Sequence, residues 1–339
     1  MQTFKKCTYF ILFNSLIFAI LTFTLSQPSF LKATLAEAKQ DDFQVLIVGQ
    51  SHSETSIDPY LLGEKISKQA FNLSRRCMPL QNLYYLIAEA NKDKHATTVI
   101  LDIDPVYWTG EEEITPGLDT NLISLLTGTR RSDYFFDVIC QTNFAKAVGD
   151  YSDSALKKIP ETLKAKLSYY QVSRDEYISH VNDWVGTGKT YNYIGRGFLY
   201  GIKYSGIDWP SPLEFRRDCV KASAVQVFQK IVHYCEQNNI RLVCIQSALP
   251  PYRIQSENVD AVHDYFTELC FNYGVPFYDF NYVKREYLGQ SDSDYVDLDG
   301  HMMGQLAERH TAIIAEVLCS DSPENYFYTS YDDVLQHIS

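Results

Sequence analysis

The chain has 339 residues, 45% apolar and 14% aromatic, enough to bury a core and too apolar for a disordered protein. Its formal net charge of −12, with no basic stripe anywhere, excludes nucleic acid as the expected partner, because phosphate binding needs clustered Lys and Arg. Cys7 lies in an N-terminal apolar run. The other cysteines (Cys77, Cys140, Cys219, Cys235, Cys244, Cys270 and Cys319) are odd in number and show no CxxC or Cys/His zinc spacing, so neither a disulfide framework nor a metal site is expected.

Residues 1–6 carry Lys5 and Lys6 and precede an uncharged stretch, residues 7–25, long enough to cross about 30 Å of hydrocarbon as a helix. The lysines put residues 1–6 on the cytoplasmic side. A cleaved signal peptide is the rival reading. Its apolar core would be only about 7 to 15 residues, and the small-x-small pattern Ala36-Glu37-Ala38 lies far downstream for its cleavage site. Both readings place the remainder outside the cytoplasm, either on a single-pass membrane anchor or secreted.

A polar linker, residues 26–42, leads into alternating strands and helices. Short β-branched or aromatic runs at 43–48, 97–103, 240–247 and 275–280 read as buried parallel strands, and 69–74 as a weaker fifth. Helices are expected at 80–91, 213–237, 259–272 and 303–318. In the second, Val220, Ala224, Val227, Ile231 and Tyr234 form one apolar stripe. Cys219, Cys235, Cys244 and Cys270 fall on apolar faces, where a thiol acts as a small hydrophobe.

The order β, α, β, α predicts a doubly wound, mainly parallel α/β sheet spanning residues 43–319. Between about 106 and 212 the pattern gives way to aromatic, Gly-containing sequence too long for an ordinary crossover, read as an inserted helical and aromatic cap. Its tyrosines either line a carbohydrate groove or fill a core. Residues 320–339 form a C-terminal tail.

Open α/β sheets bind ligands beyond the carboxyl ends of their strands. Gly49, Gln50, Ser51 and His52 follow the first strand; Asn72, Leu73, Ser74 and Arg75 follow the weak one. Asp102, Asp104 and Pro105 follow the run at 97–103, and a late polar segment supplies Asp297, Asp299 and His301. A serine nucleophile needs a base, and the base an orienting acid. Ser early with Asp and His late would bring all three to one sheet edge. His52, at the position after Ser51, reads as structural because adjacent side chains point apart.

The blocks VLIVGQSHSETSIDP, AFNLSRRCMP, VILDIDPVYW, IRLVCIQSALP and DLDGHMMGQLAERHTAIIAEVL resemble those of the SGNH (GDSL-like) hydrolase superfamily. Within it they are similar to the membrane-anchored extracellular branch related to teichoic acid D-alanylation and polysaccharide O-acetylation. The resemblance implies a three-layer, flavodoxin-like fold, Ser51 as nucleophile with its N–H in the oxyanion hole, His301 as base, and the Ser74 backbone as a second oxyanion donor.

The usual family spacing of acid and base is Asp-x-x-His, but that position here is Leu298. Asp299, two residues before His301, is the first choice of acid, because an Asp-x-His spacing occurs among the O-acetylation relatives; Asp297 is the second. The block that supplies an oxyanion Asn is not recognisable, and Gln246, Ser247 and Arg76 are its substitutes.

The implied activity is that of an extracytoplasmic serine esterase or O-acyltransferase without cofactor. Its substrate would be an acyl ester of a cell-envelope glycan or teichoic acid, its partner a multi-span membrane acyltransferase. Two other readings stay open: a non-catalytic SGNH-like protein that binds a glycan or membrane partner, and a glycosidase using Asp102 and Asp104.

Overall fold

Short aliphatic runs at Val45–Val48, Thr98–Asp102 and Arg241–Gln246 and short aromatic ones at Ala70–Asn72 and Phe277–Asp279, each bounded by polar or turn residues, set the strands of a five-stranded sheet, seen in a computed structural model. The structure describes residues 30–94, 96–110, 122–123, 125–138, 190–205 and 212–338, with isolated positions and short runs between 6 and 20. In chain order the elements are α1 (Phe30–Gln40), β1 (Val45–Val48), α2 (Ser51–Ser56), α3 (Pro59–Ile66), β2 (Ala70–Asn72), α4 (Leu80–Ala90), β3 (Thr98–Asp102), α5 (Val106–Thr109) and α6 (Thr129–Asp137). They continue with β4 (Tyr191–Gly195), β5 (Phe198–Gly201), α7 (Ala222–Gln237), β6 (Arg241–Gln246), α8 (Pro251–Ser256), α9 (Val259–Asn272), β7 (Phe277–Asp279), α10 (Gly304–Cys319) and α11 (Tyr331–His337).

The sheet order is β2-β1-β3-β6-β7, and every pairing in it is parallel. Alternation along the strands sorts the core into two layers. Val45, Ile47, Ile100, Val243 and Ile245 share one buried cluster with Leu62 of α3 and with Leu306, Ile313, Ile314 and Val317 of α10. On the other side α4 touches β1, α7 touches α4 and β6, and Trp108 packs against Phe228 of α7 and Phe266 of α9. The α/β sheet covered on both faces is therefore present as expected.

Two compact units divide the chain. One holds Met1–Ala33 and Ile114–Tyr177, and in its described part α6 and its flanks bury Leu122, Leu126, Tyr134 and Val138. The other holds Thr34–Glu113 and Ile178–Ser339 and contains the sheet. The predicted insertion at 106–212 is therefore narrower at its end, because the antiparallel hairpin β4-β5 belongs to the sheet unit. The reason is close backbone packing: Arg196 C=O accepts from Asn72 N–H at 3.0 Å, and Gly197, at φ +81°, leaves no room for a Cβ against the Asn72 carbonyl. Most of the insertion and most of the apolar run at 7–25 lie outside the described residues. Among the described residues no helix is long and apolar enough to cross a membrane.

The second predicted helix starts late, at Ala222 rather than near residue 213. Asn258 holds Phe215 in extended form, donating to its C=O at 2.7 Å and accepting from its N–H at 2.8 Å. The buried stripe of α7 is Ala224, Phe228, Ile231 and Cys235, rotated from the expected one, and Cys219 is exposed outside the helix. The tail packs onto the sheet unit, with Phe327, Tyr328 and Tyr331 against Leu249, Ile254 and Tyr282.

His310 of α10 is fully buried, its Nδ1 3.2 Å from the Ser56 carbonyl, and burial pushes its pKa down to about 4. The unfolded chain takes up this proton near pH 6.5, the folded one only near 4, so stability present above 6.5 should fall as pH drops through that window. The whole effect is on the order of 3 kcal/mol. Urea midpoints measured between pH 7 and 4 should fall less steeply for His310→Gln than for the parent.

Candidate active site

The chain runs from β1 to the edge strand β2 and then returns to place β3 on the other side of β1, so the carboxyl ends of β1 and β3 flank the point where the strand order reverses. Ser51 opens α2 directly beyond β1, and Asp102 and Asp104 lie at and just beyond the end of β3.

The helix α2 reads Ser-His-Ser-Glu-Thr-Ser, without one apolar side chain, yet His52, Ser53, Glu54, Thr55 and Ser56 are all buried. Burying such groups is tolerated only when each finds a partner. Ser53 Oγ donates to Gln50 C=O at 3.3 Å and Thr55 Oγ1 to His52 C=O at 3.1 Å. Ser56 Oγ lies 2.9 Å from Ser247 Oγ, and Asn72 Nδ2 donates to the Ser53 and Ile57 carbonyls at 2.7 and 3.0 Å. Glu54 is clamped by Arg75 at 2.5 Å and by Arg76 Nε and N–H at 3.2 Å. The helix that begins with Ser51 is thus fixed on every side by polar bonds.

His301 sits at the end of a loop closed by Val296 N–H to His301 C=O at 2.7 Å and by the Tyr295–Met302 bridge. Inside it Asp297 accepts from Asp299 N–H at 3.1 Å, from His301 N–H at 3.3 Å and from His301 Nδ1 at 2.7 and 2.8 Å. The carboxylate that orients His301 is therefore Asp297, the second choice, and not Asp299. The turn makes a four-residue spacing work: Gly300, at φ +113°, reverses the chain beside the His52 ring and brings position 301 back over position 297. Burial raises the Asp297 pKa, but the His301 contacts outweigh it and hold the carboxylate below its usual range.

Asp299 turns the other way. Arg253 of α8 donates to its carbonyl at 2.6 Å and approaches its carboxylate at 3.3 Å, while its other nitrogens hold Glu257 at 2.7 and 3.0 Å. The Asp299 carbonyl also takes a bond from His52 Nε2 at 2.7 Å. The His52 and His301 rings stand 5.5 Å apart, so the loop of Asp297 and His301, the candidate base loop, and the start of α2 meet. No hydrogen bond joins Ser51 Oγ to His301 among the described residues.

The remaining expected residues are placed as follows. Ser74 N–H is already spent on Asn72 Oδ1 at 2.9 Å, so the backbone donor expected there is occupied; what stays without a partner is its buried Oγ. Ser247 is committed to Asp102, through N–H at 3.0 Å and Oγ at 2.8 Å. Arg76 is tied to Glu54 and lies 5.4 Å from the centre of the Tyr191 ring. Gln246 is buried on the opposite sheet face from Ile245, by strand alternation.

No family model and no curated protein matches this chain. Its chemistry must be read from the site alone. His52, Asp299 and His301 bring donor atoms within 4.8 Å of one another, the one such trio among the described residues. Two ligands of a tetrahedral zinc would stand about 3.3 Å apart, and Arg253 already holds Asp299, so no metal role is assigned. Sequence reasoning named Asn72 as a strand-end residue but missed Glu54 and Arg253; for Glu54 the signal was present as a polar helix inside an apolar context.

Because Asp297 alone touches Nδ1, Asp297→Asn should remove the downfield Nδ1 proton resonance of His301, whereas Asp299→Asn should keep it. Proton NMR of both variants at low temperature checks this.

Proposed function

We propose that the chain is an extracytoplasmic, membrane-tethered serine esterase or O-acyltransferase of the SGNH type. The observation that carries the reading is the His301–Asp297 pair, brought from the end of the chain to the helix that Ser51 opens. Ser51 Oγ attacks the acyl carbon while His301 Nε2 takes its proton, and Asp297 stabilises the imidazolium so formed. The first-turn N–H groups of α2, Ser51 among them, have no intrahelical partner and face developing negative charge, with the unpartnered Ser74 hydroxyl as a further donor. His301 returns its proton to the leaving alcohol, giving an acyl-enzyme. Water then regenerates the serine, or a glycan or polyol hydroxyl accepts the acyl group. The mechanism requires no cofactor.

The acyl ester of a cell-envelope glycan or teichoic acid is the substrate that the sequence resemblance favours, with a multi-span membrane acyltransferase as donor partner. Described residues of the apolar run, Tyr9, Phe10, Leu12, Phe13 and Leu16, are exposed along one side of a helix, which suits a segment that needs lipid about it. A second reading, a non-catalytic glycan- or partner-binding protein, is favoured by the missing Ser51–His301 bond and by the lack of an oxyanion Asn.

Turnover of p-nitrophenyl acetate by the full chain in detergent separates the two. Ser51→Ala and His301→Ala should each lower kcat by about a thousandfold or more, and Asp297→Asn by about a hundredfold or more, while Asp299→Asn should stay within about tenfold of the parent. Turnover unchanged in Ser51→Ala would sink the serine mechanism. A parent without turnover whose glycan binding survives Ser51→Ala would support the binding protein.

A further inference from the structure

Both nitrogens of the His52 ring face oxygen acceptors. Nε2 lies 2.7 Å from the Asp299 carbonyl and Nδ1 lies 3.6 Å from the Asp104 carboxylate. A carbonyl only accepts, so Nε2 carries a proton, and a carboxylate opposite Nδ1 favours a second one there. A neutral ring would have to turn a lone pair towards one of these oxygens. The charged and titratable groups around it are Asp102 and Asp104 from β3 and the turn after it, Asp297, Asp299 and His301 from the base loop, and Arg253 from α8. Burial is the largest influence and works against a charged ring. Asp104 and Asp299 outweigh it, Arg253 opposes them in part, and the imidazole titrates above its ordinary range.

His52 is one residue from Ser51 in a helix fixed on all sides, and Asp299 is two residues from His301 in a closed loop. A bond between the two sets the separation of nucleophile and base with little slack. We propose that His52 is a positioning residue, an imidazolium clamp that ties α2 to the loop carrying Asp297 and His301 through Nε2–H and to Asp104 beyond β3 through Nδ1–H, and that gives up its hold on Asp104 when it loses the Nδ1 proton. The kinetic side of this rests on the serine mechanism proposed above. The clamp is complete at low pH and loses its Asp104 half as pH rises through the His52 midpoint, so it produces an alkaline limb of kcat.

The test uses the full chain in detergent, with p-nitrophenyl acetate as probe and kcat and KM followed against pH for the parent, His52→Gln and His52→Ala. Glutamine keeps an N–H donor for the Asp299 carbonyl and has no titrating proton. His52→Gln should lose the alkaline limb and stay within about tenfold of the parent's optimum, while His52→Ala should lose about tenfold or more in kcat at every pH with KM little changed. An alkaline limb that persists in His52→Gln overturns the proposal. Nitrogen-15 spectra of the parent's imidazoles followed against pH test it without any turnover: His52 should keep both protons to a higher pH than an ordinary imidazole and then lose the one on Nδ1, and a ring that becomes singly protonated below about pH 6.5 overturns the clamp. Failure of the serine mechanism, seen as turnover that survives Ser51→Ala, is thereby distinct from failure of the clamp.

Discussion

A six-residue helix made wholly of polar residues and sunk into the protein is the constraint on which the rest of the site depends. Each buried hydroxyl, carboxylate or imidazole of α2 would cost about 1 to 3 kcal/mol, or more for the charged groups, if left without a partner. The surroundings are therefore arranged to meet them. Asn72 at the end of β2 takes the carbonyls of Ser53 and Ile57, and Ser247 beyond β6 meets Ser56. Arg75 and Arg76 close on Glu54, and the base loop closes on His52. An apolar helix could slide or rotate at small cost, whereas this one has a single register in which all its bonds are made. The same directional bonds that locate Ser51 reach the segments that hold His301 and Ser74, so these three residues share one frame.

The sheet was legible because the central strands, buried on both faces, write themselves as runs of β-branched and aliphatic residues, and the edge strands β2 and β7 as short aromatic ones; all five lie within the expected stretches. What was not legible depended on contacts distant in sequence. Residues 213–219 have enough apolar character to continue a helix backwards, but the Asn258 side chain offers Phe215 the bonds of a neighbouring strand, and that local bargain wins. The hairpin at 190–205 reads as part of an aromatic insertion, yet its glycines allow backbone-to-backbone approach to Asn72 and to the base loop, which no composition reveals.

At the site, the residue types were readable and their pairings were not. The Asp-x-His spacing of the O-acetylation relatives favoured Asp299 over Asp297. A glycine in the left-handed region bends the segment so that position 297, not 299, lies under the ring. His52 was set aside because neighbours on a chain point apart. That argument holds for contact with Ser51 and says nothing of the loop that arrives from 247 residues later. The Ser74 amide could not be known to be taken, since its partner, Asn72, is two residues away and needs the turn to reach it.

The acids around the two imidazoles differ in what they can do, and their partners explain why. Asp102 is buried with neutral partners, the Ser247 hydroxyl and amide, so burial pushes it up to about 6 even with those bonds and His52 pulling the other way. Asp297 is also largely buried, but its partner is a histidine that can carry charge, and it falls instead. One carboxylate is thus a structural strut and the other a partner matched to a ring that gains a proton in each cycle of the proposed reaction. Asp104, bonded to the Val106 N–H and facing His52, belongs with the struts. The glycosidase reading needs two carboxyls open to a sugar from opposite sides. Asp102 and Asp104 are instead buried side by side on one strand end, with their oxygens turned inwards to the frame of α2.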